Sequence, residues 1–156
     1  MLALASRLQD PPRTAEVILR GGSMTPALPN GGRIRIKLIE RVDYRPDEVV
    51  AFLRDGAIVV HRVMRNRRRG GWLLTRGDAN LVPDAPIAAS RVLGPVTGRQ
   101  RGDTWIPVPG RQRGSARGRL ARWLVLLAAT AAFELAPKPA AALVTRLQSL
   151  DMRRRA

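Results

Sequence analysis

The sequence has 156 residues, 45% of them hydrophobic, which is enough for one packed domain with a tail. It contains no cysteine and one histidine, so a disulfide framework, a thiolate metal site and a structural zinc site are excluded. The formal net charge is +16, and nearly all basic residues are arginines. That balance fits a nucleic-acid partner, an anionic membrane surface, or a GC-rich coding sequence that encodes basic positions as arginine.

Nucleic-acid binding finds little support beyond the charge. Aromatic residues make up 4% of the chain, which is few for single-strand binding by base stacking. The sequence has no zinc-finger spacing, no RNA-recognition aromatic motif and no convincing helix-turn-helix. We therefore do not expect nucleic acid to be the main partner.

The first 13 residues form a short N-terminal lead. Its apolar part, Met1 to Leu8, ends at Gln9 and Asp10 and is followed by Pro11 and Pro12. This is too short for a signal peptide or a membrane-spanning helix, so we expect neither.

Six short segments have the composition or alternation of β-strands. One of them, residues 33–38, alternates basic and apolar residues at period two, which indicates a strand with one buried face. The segments are 15–20, 33–38, 48–53, 57–64, 72–75 and 90–96. Because no helical period separates them, we predict a mainly β domain over residues 14–109.

Glycine-containing turns separate several of these strands. Asp55-Gly56 lies between two apolar runs and predicts a tight hairpin. Asn30-Gly31-Gly32 predicts a second turn, and Gly94-Pro95 predicts a bulge or break in the last strand. The arginine-rich segment 66–71 is predicted to be a loop.

The composition changes after the β domain. Residues 110–119 are rich in Gly and Arg and predict a flexible basic linker, and residues 120–156 predict an apolar and basic helical tail. The apolar run from Trp123 to Phe133 is shorter than the roughly 20 residues that span a bilayer. Two interpretations stay open: a helix lying on an anionic membrane, and a helix packed on the domain or on a partner.

Four side chains could together form a nucleophile, a base and an orienting acid. Ser23 follows a Gly-Gly turn, and a serine hydroxyl becomes a good nucleophile when a base takes its proton. His61 is the only side chain whose ordinary pKa lies near neutrality, and Asp78 and Asp84 lie in a later turn-rich loop. Each also has a plain structural interpretation: a turn serine, a core histidine and two turn-capping carboxylates.

The motifs around these residues resemble the type I signal peptidases and the related LexA-type self-cleaving proteases. Gly22-Ser23-Met24-Thr25-Pro26 is similar to the family's nucleophile box, and residues 46–52 resemble its following strand. His61-Arg62-Val63, followed by residues 75–80, resembles the endoplasmic-reticulum and archaeal branch, which uses serine, histidine and aspartate. The resemblance covers about residues 17–96 and implies a signal-peptidase/LexA-like β-domain.

The resemblance also implies residue roles. Ser23 would be the nucleophile and His61 the general base. Of the two carboxylates, we predict that Asp84 orients the imidazole and Asp78 shapes the loop. Met24 and Pro26 are the predicted substrate-binding residues, with an extended substrate along a sheet edge near 24–28.

Two features depart from the family pattern. Many relatives have a polar residue two positions before the nucleophile that helps to bind the oxyanion, whereas this chain has Gly21 there. The oxyanion would then depend on backbone N–H groups, chiefly that of Ser23. The N-terminal membrane span typical of signal peptidases also has no counterpart in the sequence.

The resulting hypothesis is a serine endopeptidase that cleaves precursor or leader peptides, with small residues before the cut, and needs no metal or organic cofactor. It would be cytoplasmic or membrane-associated through the tail. Two alternatives stay open: a DNA-associated LexA-like regulatory domain, and a β-domain that retains the fold without catalysis.

Overall fold

A computed structural model of the chain describes residues 13–110 and four isolated positions, 124, 127, 128 and 131. The predicted lead before Arg13 lies outside the described residues. So do the predicted basic linker and helical tail, apart from Gly110 and those four positions. Within the described part of the chain, no helix is both long enough and apolar enough to cross a bilayer.

Eight antiparallel strands account for most of the regular secondary structure in the described chain, which confirms the prediction of a mainly β domain. The strands are β1 (Thr14–Ile18), β2 (Arg33–Lys37), β3 (Val49–Arg54), β4 (Ala57–Arg67), β5 (Trp72–Arg76), β6 (Ile87–Ala88), β7 (Val92–Arg101) and β8 (Thr104–Ile106). Two short 3-10 turns, Arg68–Gly70 and Ala89–Arg91, lie between them.

The strands form one sheet in the order β1-β2-β7-β3-β4-β5-β6, with β8 paired to β7. The long strand β7 joins the two halves. It pairs with β3 through its first residues and with β2 and β8 through its later ones. Strands that are distant in sequence therefore meet at β7.

Strand β3 lies at the centre of the packing because both of its faces are covered. Val49 and Ala51 belong to one apolar cluster, which also contains the buried side chains Met24, Leu28, Ile34, Ile36, Val60 and Val96. Val50 and Phe52 belong to the other, with Tyr44, Val63, Leu73, Ile87 and Val92. Since successive strand residues point to opposite faces, an unbroken apolar run fits a strand buried on both sides.

The predicted Asp-Gly hairpin joins β3 and β4. Asp55 has φ 51° and Gly56 has φ 75°, so both central residues of the two-residue turn adopt left-handed backbone conformations. This is the turn that matches the twist of two antiparallel strands, and Asp-Gly is one of its preferred sequences.

Strand β4 continues to Arg67, three residues beyond its predicted end at Met64. The arginine-rich residues 65–67 pair with Trp72–Leu74 of β5, so backbone pairing extends the strand through a segment predicted to be a loop. Strand β7 likewise runs on to Arg101 because β2 and β8 pair with its second half. The two-residue β6 and three-residue β8 were not predicted.

The predicted irregularity at Gly94-Pro95 lies inside β7. Ala51 pairs with Gly94 and Phe52 with Val92, so Leu93 is an extra residue and forms a bulge. Gly94 has φ 150°, and a Cβ at this position would overlap the backbone carbonyl oxygen of Lys37. Glycine is required here because the segment after β2 crosses directly against β7.

Gly94→Ala is therefore expected to lower the free energy of unfolding by at least about 2 kcal/mol, because it adds both an overlap and an unfavourable φ. Urea denaturation of the wild type and variant measures the difference. Gly102→Ala is the matched control, since Gly102 has φ 58° but open space around its Cβ position. Equal losses in the two variants would contradict the close approach at Gly94.

Candidate active site

Ser23 lies in the turn that follows β1. Gly21, with φ 93°, turns the chain, and its N–H donates to the Asn30 side chain at 2.9 Å. The N–H of Leu28 donates to the carbonyl oxygen of Met24 at 2.9 Å, which holds the following turn. Ser23 is half-buried and its hydroxyl lies beside His61.

His61 lies in β4, opposite Val50 of β3, and is 4% exposed. Its ring packs against the Phe52 ring in an edge-to-face arrangement, with the two ring centroids 6.1 Å apart. Its Nε2 atom is 3.2 Å from Ser23 Oγ. The hairpin between β3 and β4 thus holds the imidazole in a fixed place beside the serine.

Asp84 completes the line of contacts from the other side of the ring. Its Oδ2 atom is 2.6 Å from His61 Nδ1 and accepts a second hydrogen bond from the Thr75 hydroxyl at 2.7 Å. The backbone N–H of Asp84 donates to the Thr75 carbonyl oxygen at 2.8 Å, which closes the loop after β5. Asp84 is fully buried.

The second oxygen of Asp84 accepts a hydrogen bond from Arg54 Nη1 at 3.1 Å. Burial alone would raise the pKa of Asp84, but the hydrogen bond and charge of His61, the Thr75 hydroxyl and the Arg54 charge together hold that pKa below its usual value. The carboxylate is therefore ionised at neutral pH. An ionised Asp84 accepts the proton on Nδ1, which leaves Nε2 as an acceptor toward Ser23.

The loop after β5 also contacts the backbone of Ser23. The N–H of Ala79 donates to the carbonyl oxygen of Ser23 at 2.8 Å. A Cβ at Gly77 would lie 2.6 Å from that same oxygen, so the approach requires glycine. These contacts fix the main chain of Ser23 relative to β5.

Asp78 lies in this loop but faces away from the imidazole. Its two carboxylate oxygens accept hydrogen bonds from Arg62 Nε and Nη2 at 2.8 and 2.7 Å. The Arg62 side chain is 3% exposed and also donates to the carbonyl oxygens of Asp47 and Pro109. Burial would lower the pKa of Arg62, but its bonds and charge interactions with Asp78, and the charge of Asp47, raise it, so this buried pair stays charged.

The two predicted substrate-binding residues lie in different surroundings. Met24 is buried and also lines a cleft beside Ser23, whereas Pro26, which follows a cis peptide bond, is exposed and lies outside the cleft lining. Residues 24–28 form a turn rather than the predicted sheet edge, because Pro26 and the Leu28–Met24 hydrogen bond bend the chain.

The cleft has a volume of about 910 Å³ and contains Ser23, His61 and Asp84 in its wall. One side is formed by Val17–Arg20 at the end of β1, and the other by Ala57–Val60 at the start of β4. Most lining side chains are apolar, and two of them, Ile18 and Ile58, are exposed. The arrangement can therefore hold an extended, mainly apolar chain beside the Ser23 hydroxyl.

Three residues that contact the site were not assigned a role from the sequence: Arg54, Thr75 and Arg62. Arg62 and Thr75 belong to motifs that carried the family resemblance, which was the available signal. The sequence contains no such signal for Arg54. Its side chain comes close to Asp84 only because β3, β4 and β5 pair side by side and Asp84 lies in the loop after β5.

Comparisons with known proteins identified no family: no protein-family model matches the sequence. No curated protein matches it either.

In the described part of the chain, no three His, Asp or Glu side chains lie close enough together to hold a metal ion. The chemistry of the site is therefore argued from its own geometry.

Asp84→Asn tests the ionised state of the buried carboxylate. A carboxylate whose folded pKa is depressed stabilises the fold above its unfolded pKa, about 4, and loses that contribution as pH falls through the folded value. We expect the variant to be less stable by about 2 kcal/mol at pH 7, and the difference to shrink progressively as pH falls below the unfolded pKa of about 4. Urea denaturation at several pH values measures both curves. Asp103→Asn, at an exposed carboxylate, is the control; parallel curves for Asp84→Asn and wild type would contradict the assignment.

Asp78→Ala tests the buried pair with Arg62. Removing one partner leaves a buried guanidinium without its carboxylate, and we expect a loss of about 3 kcal/mol in unfolding free energy. Adding Arg62→Met removes the unpaired charge. The double variant should therefore lose less unfolding free energy than the sum of the losses in the two single variants. Strict additivity in a double-mutant cycle would show that the pair is not coupled.

Proposed function

We propose that this protein is a serine endopeptidase of the signal-peptidase type, in which Ser23 is the nucleophile, His61 the general base and Asp84 the residue that orients the imidazole. The observation that carries the proposal is the continuous line of contacts from Ser23 Oγ to His61 Nε2 at 3.2 Å and from His61 Nδ1 to Asp84 at 2.6 Å, inside a cleft. These are the three roles of a Ser-His-Asp triad.

In the first half of the reaction, His61 Nε2 takes the proton of the Ser23 hydroxyl as Oγ attacks the substrate carbonyl carbon. The imidazolium that forms is stabilised by the buried Asp84 carboxylate, which keeps its negative charge. His61 then gives the proton to the leaving amine, the C–N bond breaks, and an acyl-Ser23 ester remains.

In the second half, His61 takes a proton from a water molecule that attacks the ester carbonyl, and returns it to Ser23 Oγ as the ester bond breaks. The negatively charged oxygen in both tetrahedral states needs a donor. The Ser23 N–H is available for this, since it donates to no acceptor in the described part of the chain. With Gly21 two positions earlier, a side-chain donor is absent at that position.

The substrate is a peptide in extended conformation. Strand β1 ends the sheet and pairs only with β2 among the described strands, and its last residues form one wall of the cleft. A terminal strand can bond an added strand through its backbone groups, while the cleft receives alternate side chains. The apolar lining favours apolar residues, and the family resemblance favours small ones next to the cleaved bond.

Family membership, the signal-peptidase/LexA-like fold and the use of precursor or leader peptides rest on the motif resemblance around Ser23, His61 and Asp78. The placement of Asp84 against His61, and of Asp78 against Arg62, favours Asp84 as the orienting carboxylate. Association with an anionic membrane is proposed from the basic, apolar sequence of the tail.

A peptide-library digest tests the proposal. The purified protein is incubated with a mixture of long synthetic peptides, and mass spectrometry identifies new termini. We expect cleavage by the wild type and a loss of at least about 1,000-fold in Ser23→Ala and His61→Ala, because each removes a reacting group.

Ser90→Ala is the matched control, since Ser90 is an exposed serine outside the cleft lining, and it should cleave at the wild-type rate. Near-full activity in His61→Ala would reject the histidine base. Cleavage that survives in Ser23→Ala would assign it to a contaminant or to another residue.

A further inference from the structure

Arg54 contacts the Asp84 carboxylate but has no role in the proposed mechanism so far. It is the last residue of β3, and its side chain crosses the end of the sheet to reach the carboxylate of Asp84, with Nη1 3.1 Å from Oδ1. The His61 ring and the Thr75 hydroxyl use the other oxygen, Oδ2. Arg54, His61 and Thr75 are thus among the described side chains that hold the carboxylate, and of these three Arg54 alone is permanently charged.

The position of Arg54 is defined by packing as well as by this bond. Its guanidinium carbon lies 5.7 Å from the centre of the Phe52 ring, which also packs against the His61 ring. The side chain is 30% exposed and forms part of the cleft wall. Arg54 thus contacts the buried Asp84 carboxylate and also lines the cleft that a substrate would fill.

Among the described residues, the charged side chains in or next to the elements that surround the imidazole include Asp84, Arg54, Arg20 and Arg62. Asp84 faces its Nδ1 side, and Arg54 lies directly behind Asp84. Arg20 belongs to the wall of the same cleft but is exposed. Arg62, the next residue along β4, is bound to Asp78.

We propose that Arg54 is a positioning residue for the His61–Asp84 pair, which fixes the plane of the carboxylate and, through its charge, weakens the attraction between Asp84 and an imidazolium at His61. This inference rests on the proposed function for its catalytic consequence, but not for the contact itself. A cation behind Asp84 offsets part of the stabilisation that this carboxylate gives to an imidazolium, so removal of that cation should change the pH dependence of the reaction at Ser23. Partial exposure of Arg54 screens the effect and keeps it moderate.

The main test compares pH profiles of labelling by a fluorophosphonate, a small serine-directed probe that needs no knowledge of the substrate. Removal of the charge in Arg54→Gln should raise the pH of half-maximal labelling by about half a unit to one unit. Arg54→Lys retains the charge and should stay close to the wild-type midpoint. Arg101→Gln, which removes an exposed arginine outside the cleft, is the control for net charge and should not move it.

An unchanged midpoint in Arg54→Gln would overturn the proposal. Equal shifts in Arg54→Gln and Arg54→Lys would also overturn it, because the charge would then not be the cause. Equal shifts in Arg54→Gln and Arg101→Gln would show that net charge alone moves the midpoint of labelling, which would also overturn the proposal. Partial exposure of Arg54 makes its substitution compatible with folding, which near-ultraviolet circular dichroism checks.

A second measurement does not depend on catalysis. His61 is the only histidine, so the proton between Nδ1 and Asp84 gives a single assignable low-field resonance in the NMR spectrum. Loss or broadening of this resonance in Arg54→Gln, with recovery in Arg54→Lys, supports the positioning role even if wild-type Ser23 is never labelled. Absence of wild-type labelling rejects the proposed function alone, and an unaltered resonance in Arg54→Gln rejects the role of Arg54.

Discussion

A buried carboxylate must be fully paired, and the arrangement of this site follows from how Asp84 meets that requirement. An ionised carboxylate without partners costs several kcal/mol in a protein interior. Asp84 is fully buried, and its partners come from three strands: Arg54 of β3, His61 of β4 and Thr75 of β5. The sheet must therefore bring these strands into register before the carboxylate can be accommodated.

The same condition fixes the imidazole and, through it, the position of Ser23. His61 binds Asp84 with one ring nitrogen and faces the serine with the other, so its orientation follows from the carboxylate. The turn that carries Ser23 is held from the opposite side by Ala79. The second buried pair, Arg62 with Asp78, ties that loop to the segment around Asp47 and to the end of the described domain at Pro109. One buried pair thus orients His61, while the other supports the loop that contacts the backbone of Ser23.

The sequence was sufficient to predict the mainly β class. It was also sufficient to name Ser23, His61 and Asp84, whose side chains contact one another in the cleft. The Asp55-Gly56 hairpin and the alternation in β2 are local patterns, and the structure contains both. The extensions of β4 and β7 were missed because they depend on pairing with distant strands, and that pairing overrides the loop-like composition of residues 65–67.

Within the site, the order of serine, histidine and aspartate could be recognised from motifs, whereas local composition did not distinguish Asp84, the predicted orienting carboxylate, from Asp78. Asp78 and Asp84 both follow a strand and both suit turns, so only three-dimensional placement distinguishes a partner of Arg62 from a partner of His61. Arg54 could not be identified at all, since nothing near it in sequence indicates that its side chain reaches residue 84.

The central claim is that the imidazole of His61 activates the hydroxyl of Ser23. The most direct measurement treats the intact protein with a fluorophosphonate at pH 8 and locates the adduct by peptide mapping. The account predicts one adduct, on Ser23, that disappears in His61→Ala. Labelling of Ser23 that persists without the imidazole, or labelling spread equally over Ser23 and Ser90, would contradict it.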